Sequence, residues 1–250
     1  MSGYSNFLIR MNAGGNTMRL EQIENARRMT ETTFADDPSY VVEGCPIWYS
    51  DRIIHPRIYS YTYRSTQPFQ AHIQTLIDDP FYKGDILRWR DNGYWMCIST
   101  NDLHGINREG MLEYCNEWVR FKSPLDGSVR TYPVAMYNAT QYGTGEEYRR
   151  LITEETASHI IHLTADEHTV LIEKSRFILD RNTKNPTVFR VTQNDTTSYD
   201  DGLGHGYLRL YVISDRYNER TDNIENMLAD EQEDKENNYT EIQDNPDMWI

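Results

Sequence analysis

Three histidines fall within ten residues of one another, His159, His162 and His168, and invite a metal reading. Shared ligation would need them on one face. His159-Ile160-Ile161-His162 reads as strand because of its β-branched pair, and residues three apart on a strand face opposite sides. The run Asp180-Arg181-Asn182-Thr183-Lys184-Asn185 is rich in oxygen ligands. It lacks the spacing and terminal Glu of an EF-hand loop, and Asx-turn chemistry explains it better. Gly143-Thr144-Gly145 is followed by Glu146-Glu147, which puts two acids where a phosphate cradle needs backbone N–H groups and a lysine. No nucleophile elbow, HExxH, P-loop or dinucleotide fingerprint occurs. We therefore assign no catalytic residue, metal or cofactor. A hydrolase built on scattered carboxylates stays open as a rival.

The three cysteines, Cys45, Cys97 and Cys115, are odd in number and form no CxxC pair, so buried reduced thiols are expected. A chain of 250 residues, with 12% aromatic content and mean hydropathy of −0.75, suits one large core or two modest ones with much solvated loop. No apolar run approaches a membrane span, and the first residues lack a secretory pattern, so folding in a cytoplasm is expected. The formal charge of −14 is uneven: 12 acids face 3 bases from Asp215 onward, a share of −9 that leaves −5 for the rest. Such a chain is a poor candidate for wrapping nucleic acid through phosphate contacts, though it can stand near DNA without sticking to it.

The stretch from Gly84 to Met136 organises the chain. Leu87 and Trp89 alternate with Ile86 and Arg88, Asp91-Asn92-Gly93 reverses direction, and Tyr94–Thr100 returns with Trp95, Cys97 and Ser99 on one face. A long strand over Met111–Phe121, a turn at Ser123–Gly127 and a strand over Val129–Met136 follow. Four strands in meander order predict a small barrel or curled sheet.

Around this scaffold, residues 1–35 read as a flexible arm ending at Gly14-Gly15-Asn16, then a helix capped by Thr17. Its thin stripe of Leu20, Ile23, Ala26, Arg27 and Thr30 suits docking on a partner or on its own body, with Leu20, Ile23 and Arg27 as the docking candidates. Within residues 36–136, the segment 40–80 reads as an extended insertion. There Arg57–Arg64 alternates strictly and puts Tyr59, Tyr61 and Tyr63 on one face, flanked by Arg57 and Arg64. Tyrosine and arginine favour interfaces, so this strand is a candidate subunit contact, or else a hairpin over its own sheet. Residues 137–150 read as a linker. Candidate strands at 158–163, 177–180, 188–194 and 207–213 make 151–214 a second β unit, a sandwich or a second barrel. Residues 215–250 form an acidic tail whose Met248-Trp249-Ile250 end could anchor on a partner.

The segments GDILRWRDNGYWMCISTND and EYCNEWVRF resemble a pattern in structural neck proteins of tailed phages of Firmicutes. It has a Gly-Asp opening, a tryptophan on each of two paired strands, then a Tyr-Cys-Asn strand. RFILDRNTKNPTVFRVTQNDT, LRLYVISDRYNERTDNIENMLAD and the opening FLIRMNAGGNTMRLEQIENARR extend the likeness over most of the chain, residues 36–78 least. The resemblance implies a head–tail connector: a head-closure or stopper subunit in a closed ring, between portal or adaptor protein and tail protein. It would sit at the head–tail junction of the virion and help retain packaged DNA without reading its sequence or touching a membrane. It also makes Asn101–Gly110 the expected channel loop, with Asn101, Asp102, His104, Asn107 and Arg108 projecting. A capsid decoration, collar or tail protein is the alternative, and a motif-free enzyme the second.

Overall fold

The computed structural model describes residues 3–60, 70–103, 105–138, 158–172, 175–179, 186–197, 199–202 and 204–230. It is mainly β, with one N-terminal helix, a half-barrel sheet and a nearly closed barrel sheet.

Helix α1 runs from Gly3 to Phe34 without a break. The expected arm and Thr17 cap are thus corrected. Glycine costs a helix roughly 1 kcal/mol, but once a helix is nucleated each added residue brings a hydrogen bond. The good helix formers on both sides of Gly14-Gly15 carry the helix through them. Phe34 is buried at its end, and Arg57 donates to the carbonyls of Thr33 (2.7 Å) and Phe34 (2.8 Å) while its guanidinium lies over the Phe34 ring. A cation there completes the last turn and suits the helix dipole.

The first sheet has the order β3 (Arg57–Ser60), β4 (Gln70–Leu76), β7 (Asn107–Tyr114), β6 (Gly93–Leu103), β5 (Ile86–Trp89), all antiparallel. A short ladder, β1 (Cys45–Pro46) with β2 (Ile53–Ile54), packs into the same core. On β4, Ala71, Ile73 and Thr75 point inward and Gln70, His72 and Gln74 outward, the alternation of a strand buried on one face. The segment read as an insertion therefore supplies integral strands of the sheet. The hairpin at 91–93 forms, but positive φ falls on Arg90, Asp91 and Asn92. Gly93 serves packing instead: a Cβ there would sit 2.9 Å from the Tyr114 ring.

The second sheet has the order β11 (Arg176–Ile178), β12 (Val188–Asp195), β13 (Tyr207–Asp215), β10 (Ser158–Thr164), β9 (Val129–Asn138), β8 (Glu117–Lys122). Its two end strands approach each other, where Phe121 of β8 meets Phe177 of β11 edge-on at 6.1 Å. The core is Val119, Tyr132, Ile161, Leu163 and Leu210 with their neighbours. The four strands predicted beyond residue 150 appear within a few residues of their expected bounds, and β8 and β9 join them rather than the first sheet.

The expected single strand over Met111–Phe121 is broken at Cys115-Asn116, and the break explains this exchange. Cys115 N–H still bonds Tyr94 O in the first sheet (2.8 Å). Asn116 then uses its side chain as a substitute backbone: Nδ2 donates to Met136 O (3.0 Å) and Oδ1 accepts from Met136 N–H (2.7 Å). The chain turns from one sheet into the other with the corner's polar groups paired.

All three thiols are buried and free. Burial pushes Cys45 up to about 12 and raises Cys97 and Cys115 as well. Because the thiolate is the reactive form, iodoacetamide at pH 8 is expected to label none of them in the native protein and all of them in denaturant. Labelling of the native chain, followed by mass spectrometry, would show these positions to be open.

Candidate functional site at the seam between the sheets

Polar and aromatic residues gather where the two sheets meet. The loop Phe81–Asp85, before β5, faces residues 199–202 and 204–206, before β13. Gly84 has φ of +90°, and a Cβ placed on it would lie 1.8 Å from Gly206 O, so the two backbones touch. Thr164 Oγ1 donates to Gly84 O (2.9 Å) and Ala165 N–H to Gly206 O (3.1 Å), which fixes the contact from the second sheet. Beside it the rings of Tyr82 and His205 stack at 4.1 Å with 9° between planes.

Deeper in the seam, Glu113 of β7 is 3% exposed and its Oε2 lies 2.7 Å from His162 Nδ1 on β10. Tyr137 and Tyr207 pack edgewise or tilted on the same imidazole. A buried carboxylate is tolerated only when paired and hydrogen-bonded, so this contact ties the sheets together. On the outer side, Trp48, Tyr94 of β6 and Trp118 of β8 meet pairwise edge-to-face at 4.9–5.7 Å. Such pairs add about 0.5–1.5 kcal/mol beyond their buried area.

Between these contacts lies a cavity of about 180 Å³ walled by Trp48, Tyr49, Gly84, Asp85, Ile86, Thr164 and Asp166. Asp166 is held rigidly: it accepts from Tyr132 O–H (2.6 Å), His168 N–H (2.8 Å) and Thr169 N–H (2.9 Å). Burial and the neighbouring Asp166 carboxylate raise the Tyr132 phenol, which stays protonated as donor. Asp85 accepts from Tyr82 N–H (2.9 Å), and burial raises its carboxyl against the opposing fields of Arg52, His205 and Arg108. Tyr49 has φ of +57° although it is neither glycine nor asparagine, and its exposed ring reaches across to Thr131 O. Strain of this kind needs surrounding structure to hold it.

The residues singled out in the sequence do not converge here. Tyr59 stands on edge strand β3, 37% exposed, opposite His72. Tyr61, Tyr63 and Arg64 lie outside the described residues, as do His104, Met248, Trp249 and Ile250. Arg57 is engaged by helix α1. On that helix Leu20 is exposed, Ile23 is half-buried, and Arg27 pairs with Glu31 and with Asp78 of its own chain.

The loop expected over Asn101–Gly110 is corrected to paired strands. Asn101, Asp102, Asn107 and Arg108 belong to β6 and β7, which run on as a hairpin whose outermost pair is Leu103 with Asn107. Asp102 and Arg108 bond across the strands at 2.5 Å and 3.0 Å, and Arg108 also reaches Phe81 O (2.9 Å). Paired in this way, and with Asn107 and Arg108 also opposite Leu76 and Thr75 of β4, the polar run is part of the sheet.

The three histidines take separate partners: His159 packs on Phe189, His162 binds Glu113 and His168 binds Ser123. Among the described residues no group of three His, Cys, Asp or Glu side chains could hold a metal ion, and no helix is long and apolar enough to cross a membrane. The Ser123 Oγ–His168 Nδ1 contact (3.0 Å) has the look of a nucleophile and base. Ser123 is only 2% exposed and its Oγ also accepts from Leu125 N–H (3.1 Å), so it braces the β8–β9 turn.

Sequence reasoning missed the seam itself. Glu113 and Trp118 fall in an expected strand and Gly84 just before one, but their partners His162, Trp48 and Gly206 lie far away in the chain. No family model, curated protein or solved structure matches the chain.

Proposed function

We propose that this chain is a structural subunit of a tailed-phage neck, a head-completion or stopper protein that forms a ring between portal or adaptor and tail. The observation that carries the reading is where the resembling residues lie. Gly84, Glu113, Cys115-Asn116 and Trp118 are among the residues that join the two sheets, while Trp89 and Trp95 pack within the first. A chain that uses its most distinctive residues to fasten two β units together is built to hold surfaces in fixed relation. Ring subunits need that, because head-to-tail contacts close only if the two faces keep a set angle. Exposed aromatic side chains at the seam, Tyr49 and Trp118, are of the type that anchors such contacts.

Immunogold electron microscopy of purified particles tests the proposal. Label confined to the head–tail vertex is the expected result. Label over the shell or along the tail would transfer the chain to the decoration or tail class, and particles without label would remove it from the virion.

A further inference from the structure

The cavity at the seam has walls of two kinds, aromatic rings and carboxylates. Trp48 and Tyr49 supply the rings, Asp85 and Asp166 the carboxylates. At about 180 Å³ it is of the order of the ~150 Å³ cavity that holds a benzene ring, so a planar group of that size fits. Asp166 is fixed by its three donors. Asp85 has one hydrogen bond, from Tyr82 N–H, and no ion pair among the described residues. The basic side chains nearest it are engaged elsewhere: Arg108 by Asp102, His205 by Asp201, and Arg52 by Pro80 O. Tyr49 is exposed, so the cavity is open to solvent on that side. Rings beside carboxylates suit a planar, weakly hydrated cation that can stack and donate at once, which is guanidinium more than ammonium.

We infer that this cavity is a docking site for an arginine side chain of a partner protein, with the guanidinium lying against the Trp48–Tyr49 pair, whose rings meet edge-to-face at 4.8 Å, and hydrogen-bonded to Asp85. The inference stands on the cavity and is independent of the neck assignment. Asp85 supplies the charge-assisted hydrogen bond and Tyr49 the stacking face, while Asp166 adds fixed negative potential from the opposite wall.

The test uses the full chain with Nα-acetyl-arginine amide as probe and its neutral isostere Nα-acetyl-citrulline amide as control. Amide shifts of Asp85 and Thr164 and tryptophan fluorescence report binding. Saturable shifts are expected with the arginine probe, and binding at least about tenfold weaker with citrulline. Asp85→Asn keeps an acceptor for Tyr82 N–H and removes the charge, so a loss of about tenfold is expected. Tyr49→Ser alters an exposed side chain and is expected to weaken binding about threefold. Asp51→Asn, an exposed acid outside the cavity walls, should bind as the parent does. No saturable shift, equal binding of citrulline, or undiminished binding by a folded Asp85→Asn protein would each overturn the site.

Discussion

Gly84→Ala is expected to be among the most destabilising single changes in this protein, lowering stability by about 2–6 kcal/mol. One part of the cost is backbone strain: at φ of +90° an L side chain is held in a region it rarely adopts, roughly 1–3 kcal/mol. The other is steric: the new methyl would lie 1.8 Å from Gly206 O, which is backbone and cannot rotate away. Overpacking of that kind adds about 1–3 kcal/mol, and separating the loops would also strain the Thr164–Gly84 bond and the Tyr82–His205 stack. Gly105 provides the internal control. Its φ is +73°, yet nothing lies within 4 Å of the position its Cβ would take. Gly105→Ala should therefore show the strain alone, about 1 kcal/mol. Urea unfolding of the two variants side by side measures the difference. Equal midpoints would mean that the Gly84–Gly206 approach contributes nothing to holding the sheets together.

That glycine also marks where the sequence stopped being readable. The strand Tyr207–Asp215 is legible because one buried face imposes alternation, and the hairpin at 91–93 because Asn-Gly announces a reversal. The corner at Cys115-Asn116 is not legible. It has no proline or glycine, and what turns the chain is an asparagine side chain bonded to Met136, twenty residues on. Missing it placed β8 and β9 in the wrong sheet. The run 101–110 misled for the opposite reason: its polarity looks like a loop, but Asp102 and Arg108 satisfy each other only once the strands are paired. The seam is invisible in principle from local pattern, since Glu113 and His162 are 49 residues apart and the reason for Gly84 is a carbonyl at 206.

The acidic C-terminal region tests the same lesson on charge. Counted along the chain, residues 215–250 look like one solvated acidic tail, but the described part of it, 215–230, is packed on the second sheet. Arg176 of β11, 14% exposed, donates from Nε to Asp215 (3.0 Å), from its terminal nitrogens to Asp222 (2.8 and 3.0 Å) and Asp230 (2.6 Å), and to Arg216 O (2.6 Å). Asp222 is completely buried and also accepts from the backbone N–H groups of Asn218 (2.8 Å) and Asp230 (3.0 Å). One guanidinium thus fastens residues 216–230 across β11 and β12, where Tyr217, Met227 and Ala229 cover Ile178 and Val188. Arg176→Met fills similar space and removes the charge, leaving Asp222 buried without a counterion. Breaking a buried pair from one side costs about 3–5 kcal/mol, a large share of the ~5–15 kcal/mol that holds a domain folded. The cheaper escape is local, because letting residues 216–230 detach gives Asp222 back to water. Hydrogen exchange is therefore expected to rise across 217–230 in Arg176→Met before β10 or β13 loses protection, and Asp222→Asn added to it should restore part of that protection. A variant that keeps full protection over 217–230 would show that the apolar contacts alone hold the segment, and that Arg176 neutralises charge without fastening anything.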